Sequence, residues 1–238
     1  MKKFLALMII LLAILGALLQ FVLPRTVESI VAEQITNATA AEDVAVSLSA
    51  NPNARIALGE IDRVHGTANE GRIGDINFKN LTVDGEKIYL DVPELLFPSK
   101  NLNARERTNK ILQHADKIEL RGIVTEDELK NFIASKDVKF EDPKVKLMPE
   151  EATASARVKF FGRTIDVSVA GIFTVSNGEI FFHINKLNTN SILSRVNPDS
   201  FVSDLKIIDS SNLPIGLKFD SVELREGEVV VTAVTSKK

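Results

Sequence analysis

The chain has 238 residues, 45% of them hydrophobic, and this length suits one large domain or two small ones. Its formal net charge of -3 argues against nucleic acid as a partner, because duplex binders carry a basic excess that neutralises phosphates. The lack of cysteine excludes disulfides and thiolate sites, and the three scattered histidines disfavour an imidazole site, so we predict no cofactor and no metal.

The chain begins with two lysines followed by an uncharged apolar segment, residues 4–23. About twenty helical residues span the roughly 30 Å of a bilayer core. Only Arg25 follows closely, so the positive-inside rule places the N-terminus in the cytoplasm and the rest of the chain outside. We predict a transmembrane helix in residues 1–24, either a retained anchor or a signal segment, and a single exported domain in residues 25–238. No small-x-small cleavage site closely follows the apolar segment, which favours a retained anchor.

The segment after Pro24 has the spacing of an amphipathic helix, with Val27, Ile30 and Val31 on one stripe. Its polar side is acidic, whereas a helix that lies on a membrane surface is rich in Lys and Arg. The pattern therefore favours a helix that packs on the exported domain.

Alternating hydrophobicity from residue 44 onward predicts antiparallel strands. Residues 44–48 predict a strand, residues 56–64 fit either a short helix or a strand, and residues 81–92 predict a hairpin that turns at Asp84-Gly85. Residues 118–124 predict another strand. The pair Thr125 and Glu128 is a capping box, which predicts that a helix starts there.

The clearest sheet pattern covers residues 158–187, where Asn177-Gly178 predicts a tight turn between two strands. Residues 201–208 predict an amphipathic helical piece, and residues 217–233 predict a closing hairpin.

The chain lacks the motifs of common catalytic sites: it has neither G-x-S-x-G nor a Gly-rich phosphate loop. Asp62 with His65 could form an acid/base couple, but the sequence holds no nucleophile beside it. His183 alternates with Phe182 and Ile184, so we predict that it lies on the exposed face of a strand. We predict that the protein is not an enzyme.

Several motifs, in their order along the chain, resemble the LmeA-like phospholipid-binding family. They are Val124-Thr125-Glu126-Asp127-Glu128-Leu129, the strand pair around Gly171 and Asn177-Gly178, Val196-Asn197-Pro198, Leu213-Pro214-Ile215-Gly216-Leu217, Val222-Glu223-Leu224 and Gly227-Glu228-Val229-Val230-Val231. The resemblance implies a bacterial cell-envelope protein with an α+β fold, similar to tubular lipid-binding proteins, in which a strongly curved antiparallel sheet wraps around one or two helices. The family has no catalytic residue set, so no catalytic role is carried over.

An exported, anchored domain with Phe-rich alternating strands can bury acyl chains without catalytic machinery. We therefore predict a membrane-anchored protein on the extracytoplasmic side of the cytoplasmic membrane that binds phospholipid or a similar acyl-chain lipid, for lipid transfer or envelope maintenance. Two alternatives stay open: an assembly factor with a closed core, whose protein partners the sequence does not identify, and an enzyme acting on envelope lipids or glycans. The predicted lipid-binding residues are Phe160, Val167, Val169, Phe173, Phe182 and Ile184.

Overall fold

The computed structural model of the protein describes residues 20, 22–97, 99, 102, 104–135, 140–160, 163–189, 204–213 and 216–235. These residues form a mostly β protein with two antiparallel sheets and few helices. The helices are α1 (Leu23–Thr39), α2 (Val92–Leu96), α3 (Ala104–Ile111) and α4 (Glu126–Ala134), with short 3₁₀ segments at Asn53–Leu58 and Ser210–Asn212.

The first sheet has six strands in the order β1-β2-β3-β4-β11-β10. Their bounds are β1 Ala45–Ser49, β2 Glu60–Ile73, β3 Ile76–Leu90, β4 Leu112–Thr125, β10 Leu217–Arg225 and β11 Glu228–Thr235. The second sheet has five strands in chain order, β5 to β9. Their bounds are β5 Phe140–Leu147, β6 Ala152–Phe160, β7 Arg163–Ser176, β8 Glu179–Thr189 and β9 Leu205–Ile208. The sequence predicted one sheet, and the strands divide between two.

The chain divides into two compact units, one made of residues 1–69 and 82–119 and the other of residues 70–81 and 120–238. Each unit draws on two stretches of chain because β2, β3 and β4 contribute residues to both.

The first unit is built around α1, β1 and the adjoining parts of β2 to β4. As predicted, α1 packs on the strands: it contacts β1 and the 3₁₀ segment, Val27 is fully buried, and the Glu28 carboxylate accepts a hydrogen bond from Leu48 N at 2.7 Å. The ambiguous residues 56–64 form the end of that 3₁₀ segment and the start of β2.

The hairpin predicted at Asp84-Gly85 is wrong, because β3 runs without interruption from Ile76 to Leu90. Gly85 is buried, and a Cβ atom there would lie 2.6 Å from Ile88 Cδ1. The glycine therefore makes room for a core side chain instead of turning the chain, and the hairpin turn lies earlier, at Gly74-Asp75.

A buried carboxylate joins α2 to α3 in the same unit. Glu94 is 8% exposed, and its carboxylate accepts hydrogen bonds from Lys110 Nζ at 2.6 Å, from Ser99 N at 2.8 Å and from Ser99 Oγ at 2.9 Å. The Lys110 ammonium and then the Ser99 amide hold the Glu94 pKa down at about 2. Glu94 therefore acts as a charged link between the two helices.

The second unit contains the five-stranded sheet and α4, and its Phe78 side chain is 1% exposed. The helix start predicted at Thr125 is confirmed, since α4 begins at Glu126 and Thr125 Oγ1 accepts a hydrogen bond from Glu128 N. The helical piece predicted at residues 201–208 is wrong for its described end: Leu205–Ile208 is a strand that pairs with β8. Residues 201–203 lie outside the described residues.

Candidate functional site

The strand register brings the predicted lipid-binding residues onto one face of the five-stranded sheet. In an antiparallel pair, opposed residues share a face and neighbours in sequence alternate between faces. Ala156 opposes Val167, Ala154 opposes Val169, and Phe173 opposes Phe182. Ile184, opposite Gly171, lies on the same face, and so does the backbone position of Phe160. The Phe160 side chain lies outside the described part of the structure.

One unpaired residue in β8 keeps this face continuous. Ala170 opposes Lys186 and the next residue, Gly171, opposes Ile184, so Asn185 is a bulge. A Cβ atom on Gly171 would lie 2.0 Å from the His183 carbonyl oxygen, which explains why glycine stands there. With the bulge, Ile184 and Leu187 share the apolar face although three positions separate them.

The apolar face is buried at one end and half-buried at the other. At the buried end, Ile180, Phe182 and Ile184 are 2%, 6% and 8% exposed, and the ring centroids of Phe173 and Phe182 are 5.1 Å apart. Strand β10 packs against β7 and β8 there, and Phe219 N donates to Gly178 O at 3.1 Å. Phe182 therefore belongs to a packed core, and Phe173, which has intermediate exposure, packs against it.

The other end of this face, which we call the half-buried end, has aliphatic and aromatic side chains of intermediate exposure. It consists of Phe140, Val145, Ala154, Ala156, Val158, Ile165, Val167 and Val169. Of the predicted site residues, Val167 and Val169 lie here. The sequence analysis missed the β5 and β6 members, although Ala154, Ala156 and Val158 alternate with Thr153, Ser155 and Arg157 in a regular strand pattern.

The opposite face of the same sheet carries many charged side chains, and several of them form ion pairs. Arg157 pairs with Asp142, Lys159 Nζ lies 2.6 Å from Glu141, and Lys186 lies 3.0 Å from Glu151. The Lys159 ammonium lowers the pKa of the Glu141 carboxyl. A depression of about 670 Å³ is lined mainly by residues of this face, and Ala156 and Val167 of the apolar face also border it; the others are Asp142, Lys144, Ser155, Arg157, Asp166, Ser168 and Asn188. The sheet is thus amphipathic, with polar and apolar rows alternating along each strand.

Each histidine pairs with a carboxylate at a partly exposed surface. His183 lies on the polar face, as predicted, with Nδ1 2.6 Å from Asp204 Oδ1. His65 does not couple with Asp62: its Nδ1 lies 2.7 Å from Asp84, while Asp62 accepts from Arg55 at 3.1 Å. Within the described residues, no group of three or more His, Asp or Glu side chains could hold a metal ion.

Two of the sequence motifs meet in a structural junction of the second unit. The Glu126 carboxylate accepts a hydrogen bond from Leu147 N at 2.7 Å, Gly227 N donates to Leu147 O at 3.1 Å, and Glu126 N donates to Gly227 O at 3.4 Å. These bonds tie the start of α4 and the end of β5 to the turn between β10 and β11. The motifs therefore join three elements of this unit.

The predicted transmembrane segment lies almost entirely outside the described residues, which begin at residue 20. Among the helices that are described, none is both long enough and apolar enough to cross a bilayer.

The family described as LmeA-like phospholipid-binding matches residues 18–234, nearly the whole chain. The chain has no significant match among curated proteins or among solved structures.

Proposed function

Because the chain belongs to the LmeA-like phospholipid-binding family, we propose that it binds a phospholipid or a similar acyl-chain lipid against the apolar face of its five-stranded sheet. The observation that carries the proposal is the half-buried end, where aliphatic side chains of adjacent strands line one face and stay partly accessible. A packed core buries such side chains fully. An acyl chain laid across them gains about 0.8 kcal/mol for each CH₂ group that leaves water.

In this binding mode the lipid tail contacts Val167 and Val169 at the half-buried end, and the backbone position of Phe160, opposite Arg163 on β7, lies further along the same face. Phe173, Phe182 and Ile184 close the buried end of the path. We propose that the sheet curves around a helix as in tubular lipid-binding proteins, so that the apolar face becomes a seam. Binding of this kind is non-catalytic, since burial of the tail supplies the free energy and no bond is broken.

The location of the protein is part of the same proposal. Residues 4–23 anchor the chain in the cytoplasmic membrane of a bacterium, and the domain lies on the extracytoplasmic side. The support is the apolar segment and the lysines that precede it. A tethered lipid-binding domain would serve lipid transfer or envelope maintenance.

The experiment uses the full chain in vesicles that contain a phospholipid with a diazirine on its acyl chain. After illumination, mass spectrometry maps the crosslinked peptides. We expect crosslinks in β6 and β7 as well as in the anchor, and we expect Val167→Glu to abolish the strand crosslinks. The matched control is Ser168→Glu, which places the same charge one residue away on the polar face and should leave them unchanged.

Crosslinks confined to residues 1–24, with an intact fold, would overturn the proposal and favour the assembly factor with a closed core. An equal loss with both variants would also count against it, because a general effect of added charge would then explain the result. Val167→Thr keeps the branched shape but adds a hydroxyl to the apolar face, so it should weaken the strand crosslinks less than Val167→Glu does.

A further inference from the structure

The first unit presents two large apolar side chains to solvent at the end where the chain enters it. Phe97 is 80% exposed and Leu58 is 76% exposed, the highest values among the exposed large hydrophobic residues of the described part. Leu58 ends the 3₁₀ segment and Phe97 follows α2.

The strand topology shows that these two residues lie at the same end. Strands β2 and β3 form a hairpin that turns at Gly74-Asp75, so the start of β2 and the end of β3 lie together at the opposite, open end. Leu90 N donates to Gly59 O at 2.8 Å, which joins the residue after Leu58 to the strand that leads into α2. Helix α2 has only five residues, so the Cα atom of Phe97 stays within about 13 Å of the Cα atom of Leu90.

Helix α1 begins at this same end. Strand β1 runs antiparallel to β2, with Ser49 opposite Arg63 and Ala45 opposite Thr67, so β1 ends at the open end of the hairpin. The Glu28 carboxylate binds Leu48 N near the end of β1, and α1 also contacts the 3₁₀ segment. The opposite end of α1 leads to Glu42, whose carbonyl oxygen accepts a hydrogen bond from Asn69 N at 3.1 Å. Asn69 lies near the end of β2, toward the hairpin turn and away from the open end.

The apolar segment 4–23 therefore joins the first unit at the end that carries Leu58 and Phe97, which we call the anchor-side end. We infer that this end docks on the surface of the bilayer that holds the anchor, with Leu58 and Phe97 inserted below the lipid headgroups. The inference rests on the anchor proposed above. Singly exposed apolar residues are common, but two of this size beside the exit of an apolar segment match the composition of an interfacial contact.

The lack of cysteine allows a direct test in the full chain. Leu58→Cys and Phe97→Cys are each labelled with an environment-sensitive fluorophore in vesicles of phosphatidylethanolamine and phosphatidylglycerol. Thr67→Cys is the control, because Thr67 is exposed on β2 toward the other end of the same unit. We expect blue-shifted emission at positions 58 and 97 and quenching by nitroxides on the lipid acyl chains, with neither effect at position 67.

A label at Ile14→Cys, in the middle of the apolar segment, separates failure of the docking from failure of the anchor. Quenching at position 14 with labels 58 and 97 in water would overturn the docking and leave the anchor standing. Labels in water at all three positions would overturn both. Neither result bears on acyl-chain binding by the five-stranded sheet, which the crosslinking experiment tests separately.

Discussion

Replacing Glu126 by alanine should weaken the junction between α4, β5 and the β10–β11 turn. The change leaves the amide of Leu147 without its acceptor, and Leu147 is fully buried. A buried donor without a partner costs about 1 to 3 kcal/mol. Amide hydrogen exchange at Leu147, measured under conditions where exchange follows the opening equilibrium, should therefore accelerate about 5- to 150-fold.

Asp127→Ala is the matched control, because Asp127 is the next acidic residue in the first turn of the same helix and is exposed. It loses only its interaction with the helix dipole, about 0.3 to 1 kcal/mol, and should leave Leu147 protected. Glu126→Gln retains an acceptor and should give an intermediate effect. Unchanged exchange at Leu147 in Glu126→Ala, or equal acceleration in Asp127→Ala, would refute the role assigned to this junction.

Three further predictions concern stability, measured by urea unfolding or thermal unfolding of the full chain in detergent. Gly171→Ala should destabilise by about 1 to 3 kcal/mol because its Cβ meets a carbonyl oxygen at 2.0 Å, whereas Gly66→Ala, whose nearest neighbour lies at 3.8 Å, should not; equal effects would contradict the close-approach argument. Phe78→Ala should cost about 3 to 5 kcal/mol by leaving a cavity, and a smaller loss would mean that the site collapses. Because the Glu94 pKa is lower in the folded state, the stability that the Glu94 carboxylate contributes is complete above its unfolded pKa, near 4.5, and is lost as pH falls toward about 2. The difference in Tm between the native chain and Glu94→Gln should therefore shrink from pH 5 to pH 2, and a constant difference would contradict the Lys110 link.

The sequence predicted correctly those elements that are determined by a few neighbouring residues. The helix cap at Thr125, the turn at Asn177-Gly178 and the final hairpin are all observed. Alternation along β7 and β8 also placed the predicted site residues of these two strands on one face, because the side-chain period of a strand is fixed by its backbone.

The failures arise where distant residues decide the outcome. Asp84-Gly85 has the composition of a turn, but neighbouring strands on both sides keep β3 extended. The division into two sheets depends on which strands pair with β4, and alternation within a strand carries no information about its partners. The half-buried end could not be predicted either, because the exposure of Val167 and Ile165 depends on what other segments cover.

The bulge at Asn185 also constrains how chains with this sheet can differ in length. Removing Asn185 would leave Ile184 and Leu187 two positions apart, so both would keep their face. Removing a single residue from the middle of β7 would instead turn every following side chain to the other face of the sheet. Residues that follow the deletion would then exchange faces, so that apolar side chains would lie among the charged ones. Among related sequences, single-residue deletions are therefore expected at the position of Asn185 and not within β7.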